Sequence, residues 1–256
     1  MRFASLGSGS RGNATLVECG STCVLIDCGF PAGELVRRLA RAGREVSQLS
    51  AILVTHEHGD HIRGVAACAR QFALPVWLTA GTLQAFSGQG ISGLSGLNLF
   101  SCHVPFPVGD IEVHPFPVPH DAREPSQFVL SDGHRRLGVL TDTGRATPHI
   151  EAVLSGCHAL MLECNHDLGM LHDGPYPPAL KQRVAGPLGH LDNDSAAALL
   201  ARLDTSRLQH LVAAHLSTKN NTPYLARSSL AGAVGCTDSW VQVASQDEGL
   251  PWREIS

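Results

Sequence analysis

Three histidines and an aspartate fall within six residues in the segment Thr55-His56-Glu57-His58-Gly59-Asp60-His61. Imidazole and carboxylate are the side chains that zinc, manganese and iron accept as ligands, and core packing does not call for so many of them together. The apolar run Ala51–Val54 comes directly before. Its unbroken aliphatic and β-branched character predicts a buried strand, so the ligand-type groups sit where a rigid strand gives way to a loop. The segment points to metal-dependent chemistry.

Closing a metal site takes partners from elsewhere in the chain, and three residues share the same context of a polar group ending an apolar run. His120 follows Ile111–Pro119, Asp142 follows Leu137–Thr141, and His215 follows Leu211–Ala214. Functional groups of α/β proteins gather at such strand ends because the sheet holds them rigidly.

The elements that must position these groups are legible from pattern. Strands are expected at Arg2–Leu6, Ala14–Glu18, Cys23–Asp27, Ala51–Val54 and Val76–Leu78. More are expected near Leu97–Cys102 and Ile111–Val118, then at Gln127–Leu130, Leu137–Thr141, Ala159–Glu163, Leu208–Ala213 and Trp240–Val243. Helices fit Pro31 to about Ala42, Gly64–Phe72, Pro148–Leu154, Ala179–Ala185 and Ser195–Leu203, with another starting near Pro223. In the first helix Leu35, Val36 and Leu39 are expected to face the core, and Arg37, Arg38 and Arg41 the solvent. The stretch Ser87–Pro119 is rich in Gly, Ser and Pro. Strands come first in meander order and then alternate with helices, and no linker or repeat divides the chain. One mixed α/β domain spanning residues 1–256 is the expected organisation.

The 256 residues, 43% hydrophobic and 16% charged, are enough for a full core. A net charge of -4 gives no general attraction to nucleic acid or to an anionic membrane, so a nucleic-acid substrate would need a local basic patch or a metal to hold it. The first residues lack the apolar core of a signal peptide, and no apolar stretch approaches the roughly 18 residues of a membrane span. None of the eight cysteines is in a Cys-x-x-Cys pair, and several interrupt strand-like runs. They read as small buried residues in a reduced compartment, and the chain as cytoplasmic.

Taken together, His-x-His-x-Asp-His, a later His, Thr141-Asp-Thr-Gly144 and Ala214-His-Leu-Ser217 resemble the metallo-β-lactamase superfamily. More narrowly the chain is similar to its YycJ/WalJ branch, in the loop Gly7–Asn13, Pro119-His-Asp-Ala122, Glu163-x-Asn-His-Asp167, Gly189-His-Leu and His215-Leu-Ser-x-x-Asn-Asn221. Asp192 stands where that branch carries a serine. The resemblance implies a four-layer αββα sandwich with two divalent metal ions, zinc or manganese, at one edge. His56, His58 and His120 would bind the first ion and Asp60, His61 and His215 the second, with Asp142 bridging. Such a pair, about 3.5–4 Å apart, needs an anionic bridge and yields hydroxide at neutral pH.

Hydrolysis is therefore the expected reaction, with Asp60 and His190 as catalytic residues. A bridging aspartate with His61 in the second set argues against a true β-lactamase, and His58 argues against the diiron redox relatives. His190 has no metal slot; in nuclease relatives a similarly placed histidine contacts the scissile phosphate or protonates the leaving oxygen. Acid assistance matters most for a poor leaving group such as a sugar alkoxide. The resemblance thus favours a phosphodiesterase, specifically 5′-to-3′ exonuclease action on DNA, with thioester or lactone hydrolysis of the glyoxalase II kind as the alternative. The segment from Asp142 to His190 is too short for the inserted domain with which RNase J-like relatives clamp RNA. Ser10, Asn13, His190 and Asn193 are the expected substrate contacts, although Gly7–Asn13 reads equally as a plain hairpin turn. Arg11, Lys181, Lys219 and His166 are weaker candidates for the cleft. The sequence does not address oligomeric state.

Overall fold

Successive side chains of a strand face opposite ways, and here both faces are apolar. In Thr22–Ile26, Val24 and Ile26 enter one buried cluster while Cys23 and Leu25 enter another. A strand that is apolar on both faces requires a packed layer on each side. The computed structural model, which describes residues 1–86, 91, 93–94 and 96–256, supplies both.

β1 (Arg2–Gly7), β2 (Ala14–Cys19) and β3 (Thr22–Ile26) form an antiparallel meander. After helix α1 (Ala32–Arg41), β4 (Ala51–Leu53) joins β3 in parallel. The short α2 (Gly59–Ile62) and α3 (Val65–Phe72) lead to β5 (Val76–Thr79), and α4 (Ala80–Phe86) leads to β6 (Leu97–Phe100), each parallel to its predecessor.

The second half repeats this plan. β7 (Phe106–Val108), β8 (Ile111–Pro117), β9 (Ser126–Ser131) and β10 (Arg136–Leu140) pair antiparallel in turn. Helix α5 (Pro148–Leu154) then leads to β11 (Ala159–Glu163), parallel to β10. Helices α6 (Leu168–Asp173), α7 (Pro178–Val184) and α8 (Asn193–Leu200) precede β12 (His210–Ala214), and α9 (Pro223–Val234) precedes β13 (Gln242–Val243). The last strand, β14 (Leu250–Glu254), returns to pair antiparallel with β1. The sheet orders are β14-β1-β2-β3-β4-β5-β6 and β13-β12-β11-β10-β9-β8-β7.

Phe3, Val24, Leu53, Val113, Phe128, Val139, Met161 and Val212 form the core between the two sheets. The outer face of the first sheet is covered by Leu35 and Leu39 of α1 and Val65 and Cys68 of α3. The outer face of the second is covered by Ile150 and Leu154 of α5, Leu199 of α8 and Leu230 of α9. The result is a four-layer αββα sandwich. Each such fully buried aliphatic or aromatic side chain contributes about 1.5–3 kcal/mol relative to exposure.

Several elements differ from the sequence expectation. In α1, Val36 is exposed and Arg38 is buried: the Arg38 guanidinium lies 4.0 Å from the Phe30 ring centroid and donates to the carbonyls of Leu6, Gln246 and Asp247. An arginine with that many acceptors can enter a core that periodicity assigns to valine. Helix α8 begins before Ser195 because Asp192 caps it, its carboxylate accepting from Ser195 N at 2.8 Å. The strand expected at Trp240–Val243 is only the two residues of β13. The pattern expected from sequence did not include β7, α2, α4, α6 or β14. Of the stretch Ser87–Pro119, the residues Ser87–Gly90, Ser92 and Ser95 lie outside the described residues.

Candidate metal centre

The site is built at the ends of β3, β4, β8, β10, β11 and β12, all reaching one edge of the sandwich. Among the described residues, four non-glycine residues have positive φ, and three of them lie here: Asp27 at 60°, Asp142 at 54° and His215 at 55°. A left-handed residue costs about 1–2 kcal/mol, so the surroundings must hold each one. Backbone strain of this kind is concentrated where side chains are placed for function. His215 is fixed by its N–H donating to Ser8 Oγ at 2.9 Å. Asp27 is fixed by donors to its carboxylate: Thr55 N at 2.8 Å, Thr55 Oγ1 at 2.9 Å and His61 Nδ1 at 2.7 Å.

Two nitrogen and oxygen clusters result. His56 Nε2 and His120 Nε2 lie 3.1 and 3.2 Å from His58 Nδ1. Beside them, Asp60 Oδ2 lies 3.4 Å from His215 Nε2 and 3.6 Å from His61 Nε2. Asp142 adjoins both clusters, because it forms one group with His56 and His61 in which the ligand atoms are within 4.8 Å of each other. Its Oδ1 is 3.3 Å from ring nitrogens of His190 and His215.

The histidines are oriented from behind. His56 Nδ1 donates to Thr55 Oγ1 at 3.0 Å, which in turn donates to Asp27. His61 Nδ1 donates to Asp27, His120 Nδ1 to Gly189 O at 3.0 Å, and His215 Nδ1 to Glu163 Oε1 at 3.2 Å. With Nδ1 carrying the proton, each of these rings turns the Nε2 lone pair toward the cluster. His58 is the exception and presents Nδ1.

A cation fits this arrangement. Asp142 Oδ2 is buried and accepts no hydrogen bond, although His61 Nε2 is 3.0 Å away. A carboxylate oxygen and an imidazole nitrogen facing each other without a proton between them are partners for a shared metal rather than for each other. Burial, with the neighbouring His61, pulls the His56 pKa well below its ordinary value and keeps a neutral ligand ring. At His215 burial acts the same way, but the carboxylates of Asp142, Asp60 and Glu163 outweigh it and raise the pKa to about 10. Those carboxylates give the pocket the negative charge that divalent ions neutralise.

Asp27 and Glu163 orient the ligand histidines, a placement that the sequence did not assign to either, Glu163 having entered only within a motif. Glu163 is fully buried at the end of β11. Its Oε1 accepts from His190 Nδ1 at 2.8 Å and from His215, and its Oε2 accepts from Thr143 N at 2.8 Å. Burial pushes the Glu163 pKa up, but His190 and His215 outweigh it and hold it down to about 2. Both residues carry the signal used for Asp142, a carboxylate closing an apolar run.

The cleft above the clusters, 350 Å³ in volume, is lined by His58, Asp60, Asp142, His190 and His215. Tyr176, Leu180, Arg183, Val184 and Ser10 also line it. Asn13 does not line it. Its amide is taken up by Gly9 and lies 3.1 Å from His61 Nε2, so it ties the Gly7–Asn13 loop to the histidine loop. Asn193 is also outside that lining, its amide pairing reciprocally with Asn221 at 3.0 and 2.9 Å. His166 is likewise buried and outside that lining. Arg11 pairs with Asp247, and Lys181 donates to His172 O. Among the described residues no helix is long and apolar enough to cross a membrane.

The family profile described as Beta-lactamase superfamily domain matches residues 22–215. The chain is 36% identical over 232 residues to exodeoxyribonuclease YycJ of Bacillus anthracis, covering 90% of this chain and 88% of the relative. It is 31% identical over 263 aligned residues to exodeoxyribonuclease WalJ of Streptococcus pneumoniae, covering 99% and 98%. Among solved structures, the metallo-β-lactamase fold protein YhfI of Bacillus subtilis superimposes with a TM-score of 0.76 at 16% identity, covering 99% of each chain.

Proposed function

We propose, from the premise that this chain belongs to the β-lactamase superfamily domain family and is a metal-dependent hydrolase, that it cleaves phosphodiester bonds at a dinuclear centre. The relatives named exodeoxyribonuclease support DNA as substrate and removal of nucleotides from an end; the 5′-to-3′ sense is implied by the resemblance alone. His56, His58 and His120 would hold one divalent ion, zinc or manganese, and Asp60, His61 and His215 the other, with Asp142 between them. When bound, such ions supply Lewis acidity and a water acidic enough to attack at neutral pH.

The observation that carries the reading is His190. It lines the cleft but lies outside those seven ligands, and Glu163 holds its Nδ1 at 2.8 Å. That bond commits the Nδ1 proton, so Nε2 is the atom left to meet a substrate oxygen. Burial lowers the His190 pKa, but the carboxylates of Glu163 and Asp142 raise it overall, which favours the protonated ring. A protonated imidazole serves a phosphodiester twice, as counter-charge to the phosphate and as proton donor to the departing sugar oxygen. Asp60 stays a carboxylate, held below its usual range against burial by His61 and His215. It sits where it can ligate and accept a proton.

The test compares wild type and His190→Ala on duplex and single-stranded DNA, RNA, a bis-aryl phosphate and a thioester, after loading with zinc or manganese. Expected is hydrolysis of diesters but not of the thioester. The variant should lose about 100-fold or more of its turnover on DNA and less on the aryl ester, whose leaving group needs no proton, with metal content unchanged. Equal turnover of wild type and variant would remove the role of His190. Thioester hydrolysis without diester hydrolysis would establish the glyoxalase II-like alternative instead.

A further inference from the structure

The ligand side of the cleft accounts for a phosphate but not for the rest of a nucleotide. The lining contributed by the segment from the end of α6 through α7 differs in chemistry. Tyr176 lines the cleft in the run Gly174-Pro-Tyr-Pro-Pro178. Prolines on both sides fix φ at their own positions, and Pro177 confines Tyr176 to extended backbone. The segment runs close to the loop that follows His215: a Cβ at Gly174 would meet Asn220 Oδ1 at 2.4 Å, and ahead of α6 Asp167 N donates to Asn220 O at 2.8 Å. Tyr176 thus stands on conformationally restricted backbone beside that loop.

Lys219 Nζ lies 5.9 Å from the Tyr176 ring centroid and brings a positive charge to it. Arg183, in the cleft lining, is already ion-paired with Asp121 of the same lining at 2.6 Å. At 350 Å³ the cleft is at the small end of ligand sites, about 300–1,000 Å³. It has room for one nucleotide and not for a duplex.

We propose that Tyr176 is the base-stacking platform for the nucleotide bearing the scissile phosphate, with Lys219 pairing an adjacent phosphate of the same strand. The proposal rests on the phosphodiesterase reading above. Aromatic stacking accepts any base, because every base has a π face. It suits an enzyme that removes nucleotides in sequence without regard to their identity. The end of a duplex must then fray by a nucleotide to enter, and Tyr176 replaces the stacking that nucleotide gives up.

The test uses the full-length, metal-loaded enzyme and a DNA oligonucleotide with a normal or an abasic terminal nucleotide. Tyr176→Leu should raise KM on the normal substrate about tenfold with kcat little changed, and Tyr176→Phe and Tyr176→Trp should restore it. Wild type should lose the same factor when the base is missing, and Tyr176→Leu should not distinguish the two substrates. Lys219→Ala should flatten the dependence of log KM on log salt. Tyr176→Leu with wild-type KM, or with an undiminished penalty for the abasic end, would overturn the platform. Those outcomes leave phosphodiester hydrolysis standing. Wild type inert toward every phosphodiester would overturn the underlying reading and this proposal with it.

Discussion

Replacing Asp27 by Asn tests how far the ligand shell depends on a residue that touches no metal position. The buried Asp27 carboxylate accepts from Thr55 N at 2.8 Å, Thr55 Oγ1 at 2.9 Å and His61 Nδ1 at 2.7 Å. Asparagine keeps one oxygen, enough for both Thr55 donors, but turns an NH₂ toward His61 Nδ1. Two donors then face each other, and the relief is for His61 to move its proton to Nε2, the atom 3.0 Å from Asp142 Oδ2. The ring is then protonated at the nitrogen it needs as a ligand. Loss of such an orienting partner costs about 10–100-fold in metal affinity, or about 1.4–2.7 kcal/mol. The cost should be selective. His56, His58 and His120 keep their convergence, since Thr55 can still donate to the Asn oxygen and accept from His56. Metal titration followed by mass spectrometry should therefore show one ion held as in wild type and the second weakened, with diester turnover falling in step. The asparagine retains most of the packing, so thermal stability should drop by only a few degrees. Asp27→Asn that binds two ions with wild-type affinity would refute the tautomer argument.

Gly29→Ala tests the close approach of the chain under the histidine loop. A Cβ there would lie 1.8 Å from the Asp60 carbonyl oxygen and 2.7 Å from Asn13 N, both backbone. The backbone has to move, so the variant should lose several degrees of thermal stability and bind the second ion more weakly; a wild-type melting curve would contradict this. Asp132→Asn tests a turn far from the site. Burial raises the Asp132 pKa, but the N–H groups of Arg135 and His134 and the Arg135 side chain outweigh it and hold the pKa down to about 2, from 3.8. A pKa lowered by folding stabilises above the unfolded value and loses that contribution as pH falls through the folded one. In urea titrations, wild type should exceed the variant by about 1 kcal/mol at pH 6 after solvent screening, and the gap should narrow between pH 4 and pH 2. A gap that does not depend on pH would refute the assignment.

What the sequence determined by itself is local. An unbroken apolar run followed by a polar residue marks a strand end, and it identified Ala51–Val54 with His56–His61, Leu137–Thr141 with Asp142, and Leu211–Ala214 with His215. The order of strand and helix patterns pointed to one mixed α/β domain without long-range information, whereas the four-layer arrangement was implied by the resemblance. Asp27 and Glu163 were open to the same reading; Asp27 entered only as the last residue of an expected strand and Glu163 only within a motif, so neither was given a role.

Other features exist only through distant contacts. Arg38 is buried because Leu6, Gln246 and Asp247 bring carbonyls to it from residues far away in the chain. β14 is a strand because β1 offers an unpaired edge to a proline-containing segment. Asn193 looked like a cleft residue beside His190, but the fold pairs its amide with Asn221. The proton positions of the histidines follow the same rule, since a sequence gives the ring but not which nitrogen finds an acceptor. Asp27, Thr55, Gly189 and Glu163 decide that from other strands and loops. The chain's residue types therefore pointed to metal binding, and the face-to-face packing of the two sheets decided which atoms converge at the strand ends and left His190 beside them in the cleft.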